Sequence, residues 1–582
     1  MDQYNVPGLS LTIVQGDSAS TASWGHADAG GTIAVTADTP FRIASVAKEL
    51  VAATVVTEVS RGTISLENDV SDLIPRVGRF SGPITLHDLL THTAGFDERL
   101  IAYGARSIDE MKPLGEYLVD RTPFRGWPVG EQISYSNHGM ALAALAIERA
   151  RGQSFAEVEA LNVFKPLNMR STGTLTRGHS VPPKSAVPLS CEEGKCEHVP
   201  HLFSHAYPAG LAFSTARDMS RFVSAILRAD EDESPLAELI PKRFTHDERI
   251  PGMSYGFFNQ YHNGFRFLAH TGSVPGYWSL LLISPEADLG FFFVANSGGS
   301  QFGERFRDEL LSALLGDEPA SPPVPSISEK PSMRSGIYES TRYSHETIER
   351  FPQVFVNFIE LIAEADTLKI VAGGTVTKYV QTGTALYENL DGSDTIAFGI
   401  RRGELRLFRS SFVYGAGVPV SYEKKPWYRA PGFLNEYASW LLAVPILILF
   451  LIWPLSAGVG LYLRKKRGDE KHPQALISGS VSALTAVTVL LFATFGLGFV
   501  GRSNRMLESG ELFFGMPDTL MAFTWIPTVH TVLAVLMGAA FVLAWKYMWW
   551  DLPRRLLFST VAVSLVLQVA FLVQWNYLPM SW

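Results

Sequence analysis

Three short segments, far apart along the chain, hold residue types that together can transfer an acyl group. The first is Thr39-Pro40-Phe41-Arg42-Ile43-Ala44-Ser45-Val46-Ala47-Lys48. An alcohol is a poor nucleophile until a neighbour accepts its proton, and a lysine can accept it only when burial or nearby cations depress its pKa. In a helix beginning near Ser45, residues three apart share a face with Cβ atoms about 5–6 Å apart, so Lys48 can take the Ser45 proton. The helix N-terminus adds amides and a positive dipole end that favour an oxyanion. The second segment is Tyr135-Ser136-Asn137. Its phenol, beside a lysine, can pass a proton between Ser45 and a leaving group, and the Asn137 amide can bind a substrate carbonyl. The third is His270-Thr271-Gly272-Ser273, where the glycine permits close substrate approach and the Ser273 amide can complete an oxyanion hole with that of Ser45. Singly, each has a plain structural explanation: a serine and lysine on any surface helix, a buried tyrosine with a satisfied hydroxyl, a histidine at a strand end.

The surrounding pattern says which elements must hold these groups. Strand-like Leu9–Val14 precedes a Gln15-Gly16-Asp17 turn and a second short strand ending near Gly25, and a long helical pattern runs from Ser45 through Val59. Residues 128–134 read as a turn leading into an extended piece, which puts Tyr135 on a loop before the helical pattern Ala141–Ala150. The β-prone runs Trp278–Ile283 and Leu289–Ala295 flank a Pro285-Glu286-Ala287-Asp288 turn, so the third segment is predicted to be an edge strand followed by a hairpin.

Taken in order, S-x-x-K, Y-x-N and H-T-G resemble the motif set of the serine β-lactamase-related family, which includes class C β-lactamases, D,D-peptidases, D-aminopeptidases and esterases. Segments 84–96, 165–169 and 210–218 fit the same pattern, and the resemblance spans essentially residues 5–315. It implies an α+β, β-lactamase/transpeptidase-like catalytic domain: a helical part beside an antiparallel sheet covered by helices, with the site at their junction. It implies that Ser45 forms an acyl-enzyme, that Lys48 and Tyr135 manage protons, that Asn137 holds the substrate amide, and that His270, Thr271, Gly272 and Ser273 line the other side. No cofactor and no metal is implied. His87, His92 and His138, near the motifs, read as packing and hydrogen-bonding residues. One position departs from the pattern. Lysine is usual at position 270 in penicillin-binding enzymes and β-lactamases, where its fixed charge favours a substrate carboxylate, whereas a histidine of ordinary pKa about 6.5 is largely neutral at neutral pH. The resemblance is therefore closer to D-aminopeptidase- and esterase-like members. Uncharged esters or amides are the expected substrates, with activity on carboxylates rising as pH falls and His270 becomes charged.

At 582 residues the chain is too long for one hydrophobic core. Hydrophobic residues make up 47% and charged ones 18%, yet the first four hundred residues read as an ordinary soluble mixture, so the apolar excess lies after Trp440. The predicted organisation is a β-lactamase-related hydrolase domain over 1–315, a Pro-rich linker over 316–332, a small antiparallel β domain over 333–427 with one helix within 346–364, and four transmembrane helices within 438–577. The apolar stretches near 438–463, 474–500, 518–545 and 556–577 can each cross a hydrocarbon core of about 30 Å. Arg464, Lys465, Lys466 and Arg467 follow the first, and Lys546, Arg554 and Arg555 lie between the third and fourth, which places both connections in the cytoplasm and the catalytic domain outside it, periplasmic or cell-surface. Such a topology demands an export signal, and because the chain opens Met1-Asp2-Gln3-Tyr4 a truncated N-terminus is expected. His530 and Gln568 fall within apolar stretches and are expected to face neighbouring helices. Cys191 and Cys196, the two cysteines, suit a disulfide-closed loop; reduced thiols, or a metal site recruiting His198, His201 or His205, are the alternatives, and oxidation is the default outside the cytoplasm. A formal charge of -8 without basic runs interleaved by aromatics excludes a nucleic-acid partner.

These observations point to a membrane-anchored extracytoplasmic serine hydrolase that cleaves an amide or ester, including a peptide with a D-residue, through a Ser45 acyl-enzyme. The competing readings are a penicillin-recognising sensor signalling through its membrane helices, and a β-lactamase or D,D-carboxypeptidase. The partners expected are a small-molecule or peptide substrate and membrane lipid. Oligomeric state is not legible from these residues.

Overall fold

The computed structural model describes the chain except residues 75–81, 193–194, 317–330, 365–366, 391–393, 410–419, 456–457, 459–461, 463–465, 467–474 and 581–582. Most of the predicted Pro-rich linker, and Arg464, Lys465 and Arg467 of the basic cluster, lie outside the described residues. Two compact units form, one from Met1–Arg99, Tyr103–Tyr343 and Asn357–Lys425, the other from Leu100–Ala102, Ser344–Val356 and Pro426–Trp582.

The first unit is built on a six-stranded antiparallel sheet of Gly8–Gln15 (β1), Ser18–Gly25 (β2), Phe258–His262 (β3), Phe265–Val274 (β4), Tyr277–Ser284 (β5) and Leu289–Ala295 (β6), in spatial order β3-β4-β5-β6-β1-β2. Every residue of β5 and β6 is buried, as their near-continuous apolar sequence requires of strands covered on both faces. Period-two alternation divides their side chains between two cores. Leu281, Ile283, Phe292 and Val294 join one that includes the helices Ala47–Ser60 and Ala216–Leu227. Trp278, Leu280, Leu282, Phe291 and Phe293 join another with Phe302 and Leu311 of the helix Ser300–Leu315. Helix Ala47–Ser60 is buried from Ala47 to Glu58, the state of a helix that is apolar almost all round.

The same unit contains a closed antiparallel barrel of eight strands, from Gly336–Ser340 to Val420–Lys425, which pair with each other to complete the ring. Its interior is filled by Tyr338, Leu368, Ile370, Tyr379, Tyr387 and Leu407 among others. The helix expected within 346–364 is Arg350–Asn357; Phe358–Glu364 is instead a barrel strand with alternating burial, the period-two signature that separates strand from helix. Barrel and catalytic region share a polar seam. The buried Gln132 Oε1 accepts from Arg406 Nη1 (2.5 Å) and Ser421 Oγ (3.0 Å). The His246 ring stacks on Phe408, centroids 4.8 Å apart. Arg401 Nη2 donates to the His246 carbonyl (3.0 Å), and Trp127 Nε1 to the Thr341 carbonyl (3.0 Å).

The second unit has four helices long and apolar enough to cross a membrane, Pro431–Leu455, Ser480–Ser503, Asp518–Lys546 and Leu552–Gln574. His530 and Gln568 turn inward to each other: His530 Nε2 and Gln568 Oε1 share a hydrogen bond (3.0 Å), and Gln568 Nε2 donates to the Leu441 carbonyl (2.8 Å). In this unit the Glu349 carboxylate accepts from the amides of Leu100 and Ile101 at 2.7–3.1 Å. Cys191 and Cys196, in the first unit, are disulfide-bonded across a two-stranded hairpin.

Candidate active site

The nucleophile segment is pinned on both sides before it turns. Phe41 and Arg42 pair with Ser214 and Phe213 as short strands, and Ser279 Oγ of β5 donates to the Ile43 carbonyl (2.8 Å). Ala44 then takes φ +49°, a left-handed conformation that a residue with a β-carbon adopts at a cost and that the packing around it must hold. The chain reverses there. Ser45 stands in the single 3₁₀ turn Ala44–Val46, which feeds directly into helix Ala47–Ser60.

One turn on, Lys48 Nζ lies 2.9 Å from Ser45 Oγ and donates to the Ala209 carbonyl (2.6 Å). Burial pulls its pKa from 10.5 down to about 7, opposed by the nearby carboxyl groups of Glu49, to the extent that it ionises, and Glu98, and reinforced by the Arg342 guanidinium. Much of the lysine is therefore neutral at neutral pH and able to accept a proton. Tyr135 precedes the helix Asn137–Arg151, whose N-cap Ser136 accepts from the Gly139 amide (3.0 Å), and the cap fixes the residues on either side of it. The Ser136 amide donates to His92 Nδ1 (3.2 Å). The Tyr135 ring centroid is 4.9 Å from Lys48 Nζ. Burial drives the Tyr135 pKa upward, partly countered by a hydrogen bond with the Ser45 side chain, so the phenol holds its proton in the resting site. Asn137 Nδ2 donates to Glu98 Oε1 (3.2 Å).

The opposite wall is β4. Its pairing with β3 runs only from Phe265 to Ala269, while its pairing with β5 continues to Val274. From His270 to Val274 the strand therefore presents an edge, among the described residues, with Ser273 exposed and Thr271 half-buried. Gly272 is required by the nucleophile turn itself: a β-carbon there would lie 2.4 Å from the Ile43 carbonyl oxygen and 2.3 Å from Ser279 Oγ.

His270 differs from expectation in its charge. Its ring is 1% exposed, packed 4.3 Å from Phe258 by centroids, and its Nδ1 donates to the Thr271 carbonyl (2.6 Å). Burial, reinforced by Lys48, pushes its pKa well below 6.5. Glu49 Oε1 lies 3.8 Å from Nε2, too far for a hydrogen bond. Burial raises the Glu49 pKa well above its ordinary value, so the two form a neutral contact rather than an ion pair. His270 does not gain charge in mild acid, and the predicted rise of carboxylate turnover with falling pH loses its physical basis.

The eight residues singled out in the sequence thus lie on the nucleophile turn and its helix, the loop before and first residue of helix Asn137–Arg151, and the free edge of β4. Two residues escaped sequence reasoning. Glu98 binds Asn137, and Arg342 binds Glu98 through Nη2 to Oε2 (3.3 Å) with its guanidinium 4.8 Å from the Tyr135 ring centroid. A carboxylate two positions past the 84–96 segment was a usable signal for Glu98. Arg342 carried none, because it belongs to the segment following the first barrel strand.

A family model described as Beta-lactamase matches residues 1–315. The beta-lactamase of Escherichia coli K12 is 27% identical over 233 residues, 39% of this chain and 58% of that protein, so the chain spans somewhat over half the relative's length. The D-alanyl-D-alanine-carboxypeptidase/endopeptidase AmpH of the same organism is 23% identical over 337 residues, 54% of this chain and 86% of the relative. The crystal structure of SurE shares the fold at a TM-score of 0.52 and 21% identity, over 73% of this chain and 96% of that one. Since the family match alone takes in more than half of the 582 residues, this protein belongs to the Beta-lactamase family and is a serine hydrolase acting on amides or esters.

Proposed function

We propose that the protein cleaves its amide or ester by acylating Ser45, and that it does so as a membrane-anchored enzyme whose catalytic unit lies outside the cytoplasm. The observation that carries the first part is the 2.9 Å contact between Ser45 Oγ and a Lys48 amine held near neutrality. The neutral amine takes the serine proton as Oγ attacks the substrate carbonyl. The oxyanion is met by the Ser45 and Ser273 amides, on the turn and on the free edge of β4. Tyr135, still protonated, gives its proton to the departing nitrogen or oxygen and is reprotonated from Lys48. Asn137 orients the substrate amide, and Thr271 and Gly272 bound the cleft. Water then hydrolyses the acyl-enzyme by the reverse sequence. Peptides ending in a D-residue are the substrate class favoured, since the AmpH relative is named for one.

The test is intact-mass spectrometry of the full-length protein with an uncharged fluorophosphonate. Wild type should gain one adduct, mapped to Ser45. Ser45→Ala and Lys48→Ala should each lose labelling with a thermal melt close to wild type, because the pair acts as one nucleophilic unit. Robust labelling of folded Ser45→Ala would remove the assignment.

A further inference from the structure

We propose that Arg342, carried into the cleft from the barrel, is the residue that reads a substrate carboxylate next to the scissile bond. This rests on the Ser45 acyl-enzyme reading and adds a substrate class to it: anionic esters and peptides rather than uncharged ones.

Burial decides which positive charges the cleft can offer. Lys48 is fully buried and committed to Ser45 and the Ala209 carbonyl. His270 is buried and neutral. Arg342 is the opposite case: its side chain keeps 24% of its exposure, and a guanidinium stays charged at every accessible pH. Its distance to the Tyr135 ring, 4.8 Å, matches the 4.9 Å of Lys48, so it stands beside the proton-transfer machinery. Among the described residues its ion pair is with Glu98 alone, through one nitrogen at 3.3 Å. The fork geometry that suits a carboxylate in two parallel hydrogen bonds is thus largely unspent.

The guanidinium is also positioned before any ligand arrives. The Thr341 amide donates to the Ser421 carbonyl (2.9 Å), and the Thr341 and Ser421 hydroxyls share a hydrogen bond (2.8 Å). Trp127 Nε1 holds the Thr341 carbonyl, and Asn357 Nδ2 holds the Arg342 carbonyl (2.9 Å). Anchoring the backbone on both sides lowers the ordering cost of recognition. Glu98 both keeps the unliganded charge balanced and links Arg342 to Asn137, so carbonyl and carboxylate recognition share one network.

The experiment uses full-length protein in detergent and a matched depsipeptide ester pair, one with a free carboxylate beside the scissile ester and one with a carboxamide. Wild type should prefer the carboxylate in kcat/KM. Arg342 faces Glu98, Lys48, Tyr135 and His92, and the preference should be flat from pH 6 to 9: burial raises the Tyr135 pKa and lowers that of His92, and Lys48, which loses its proton near pH 7, is needed neutral by both substrates. Arg342→Gln should cut the preference about tenfold or more, the loss of roughly one charge-assisted pair, chiefly through KM. Arg342→Lys should restore part of it. Glu98→Gln, independently, should raise the preference, since it frees the guanidinium. Fluorophosphonate labelling of wild type, run in parallel, reports Ser45 acylation separately from carboxylate preference. Equal loss on both substrates would make Arg342 a structural partner of Glu98 and overturn the proposal, as would a carboxylate preference that survives Arg342→Gln or rises below pH 7. Absence of labelling in wild type would instead remove the Ser45 reading, and this one with it.

Discussion

Lys48 is held where folding opposes it. Its folded pKa of about 7 lies below the ordinary 10.5, so between those values the unfolded chain binds a proton that the folded one does not. Stability from this group therefore rises with pH over that window, and the full penalty applies below about pH 7. Replacing it by Met should abolish acylation yet stabilise the fold by about 2–4 kcal/mol at pH 6, because Glu49 beside it is held protonated and is not left as a bare charge. The gain should fade as pH approaches 10, which melts at several pH values would reveal. The same pKa sets the rate. The kcat/KM for an uncharged ester should climb tenfold per pH unit in acid and level off near pH 7, while the Tyr135 phenol, raised by burial, should impose no descending limb in that range. A profile flat from pH 5 to 8 would mean that Lys48 is not the proton acceptor. Ser45, Lys48 and Tyr135 were legible in the sequence because helix geometry and local order bring S-x-x-K together. The charge state of His270 was not, because it depends on burial against Phe258 of the neighbouring strand β3. The Glu98–Arg342 pair was not, because its members join only when the barrel docks.

At the scale of elements, the cleft is made by a strand edge meeting a strained turn, and Gly272 is where they touch. Gly272→Ala would press a β-carbon against the Ile43 carbonyl and Ser279 Oγ. The expected cost is about 1–3 kcal/mol, with a fluorophosphonate labelling rate that falls by far more than the melt suggests, since the turn carrying Ser45 is what must move. A variant that melts lower but labels at the wild-type rate would show that the turn tolerates displacement. Ser136→Ala, removing the cap of Asn137–Arg151, should cost about 1 kcal/mol and slow turnover by loosening Tyr135 and Asn137 together. The six-stranded sheet was largely readable, because apolar runs bounded by turns announce β5 and β6 directly. The barrel was readable only as strands, since its closure rests on pairing Gly336–Ser340 with Val420–Lys425, a register that no local pattern encodes. The strand at 358–364 went unread because the apolar residues of 346–364 suit either period over so short a run.

At the scale of the whole molecule, the four long apolar helices and the Cys191–Cys196 disulfide fit a protein whose catalytic unit is exported. Protease added to intact spheroplasts should degrade that unit, and a thiol reagent should modify Cys191 and Cys196 only after reduction. Protection from protease together with free thiols would place the unit in the cytoplasm and reverse the proposed orientation.

The seam between barrel and catalytic region has a consequence for how the gene can be cut. Across it Gln132 accepts from Arg406 and Ser421, Trp127 donates to the Thr341 carbonyl and His246 stacks on Phe408, so a fragment ending before residue 317 keeps Ser45 and Lys48 but loses these partners and lacks Arg342. Two halves made separately, 1–316 and 331–582, should for the same reason recognise each other. Co-expressed as a split protein they should co-purify and regain fluorophosphonate labelling, while exchanging the second half for that of a distant relative should yield a folded pair with weakened complementation and altered preference for anionic substrates.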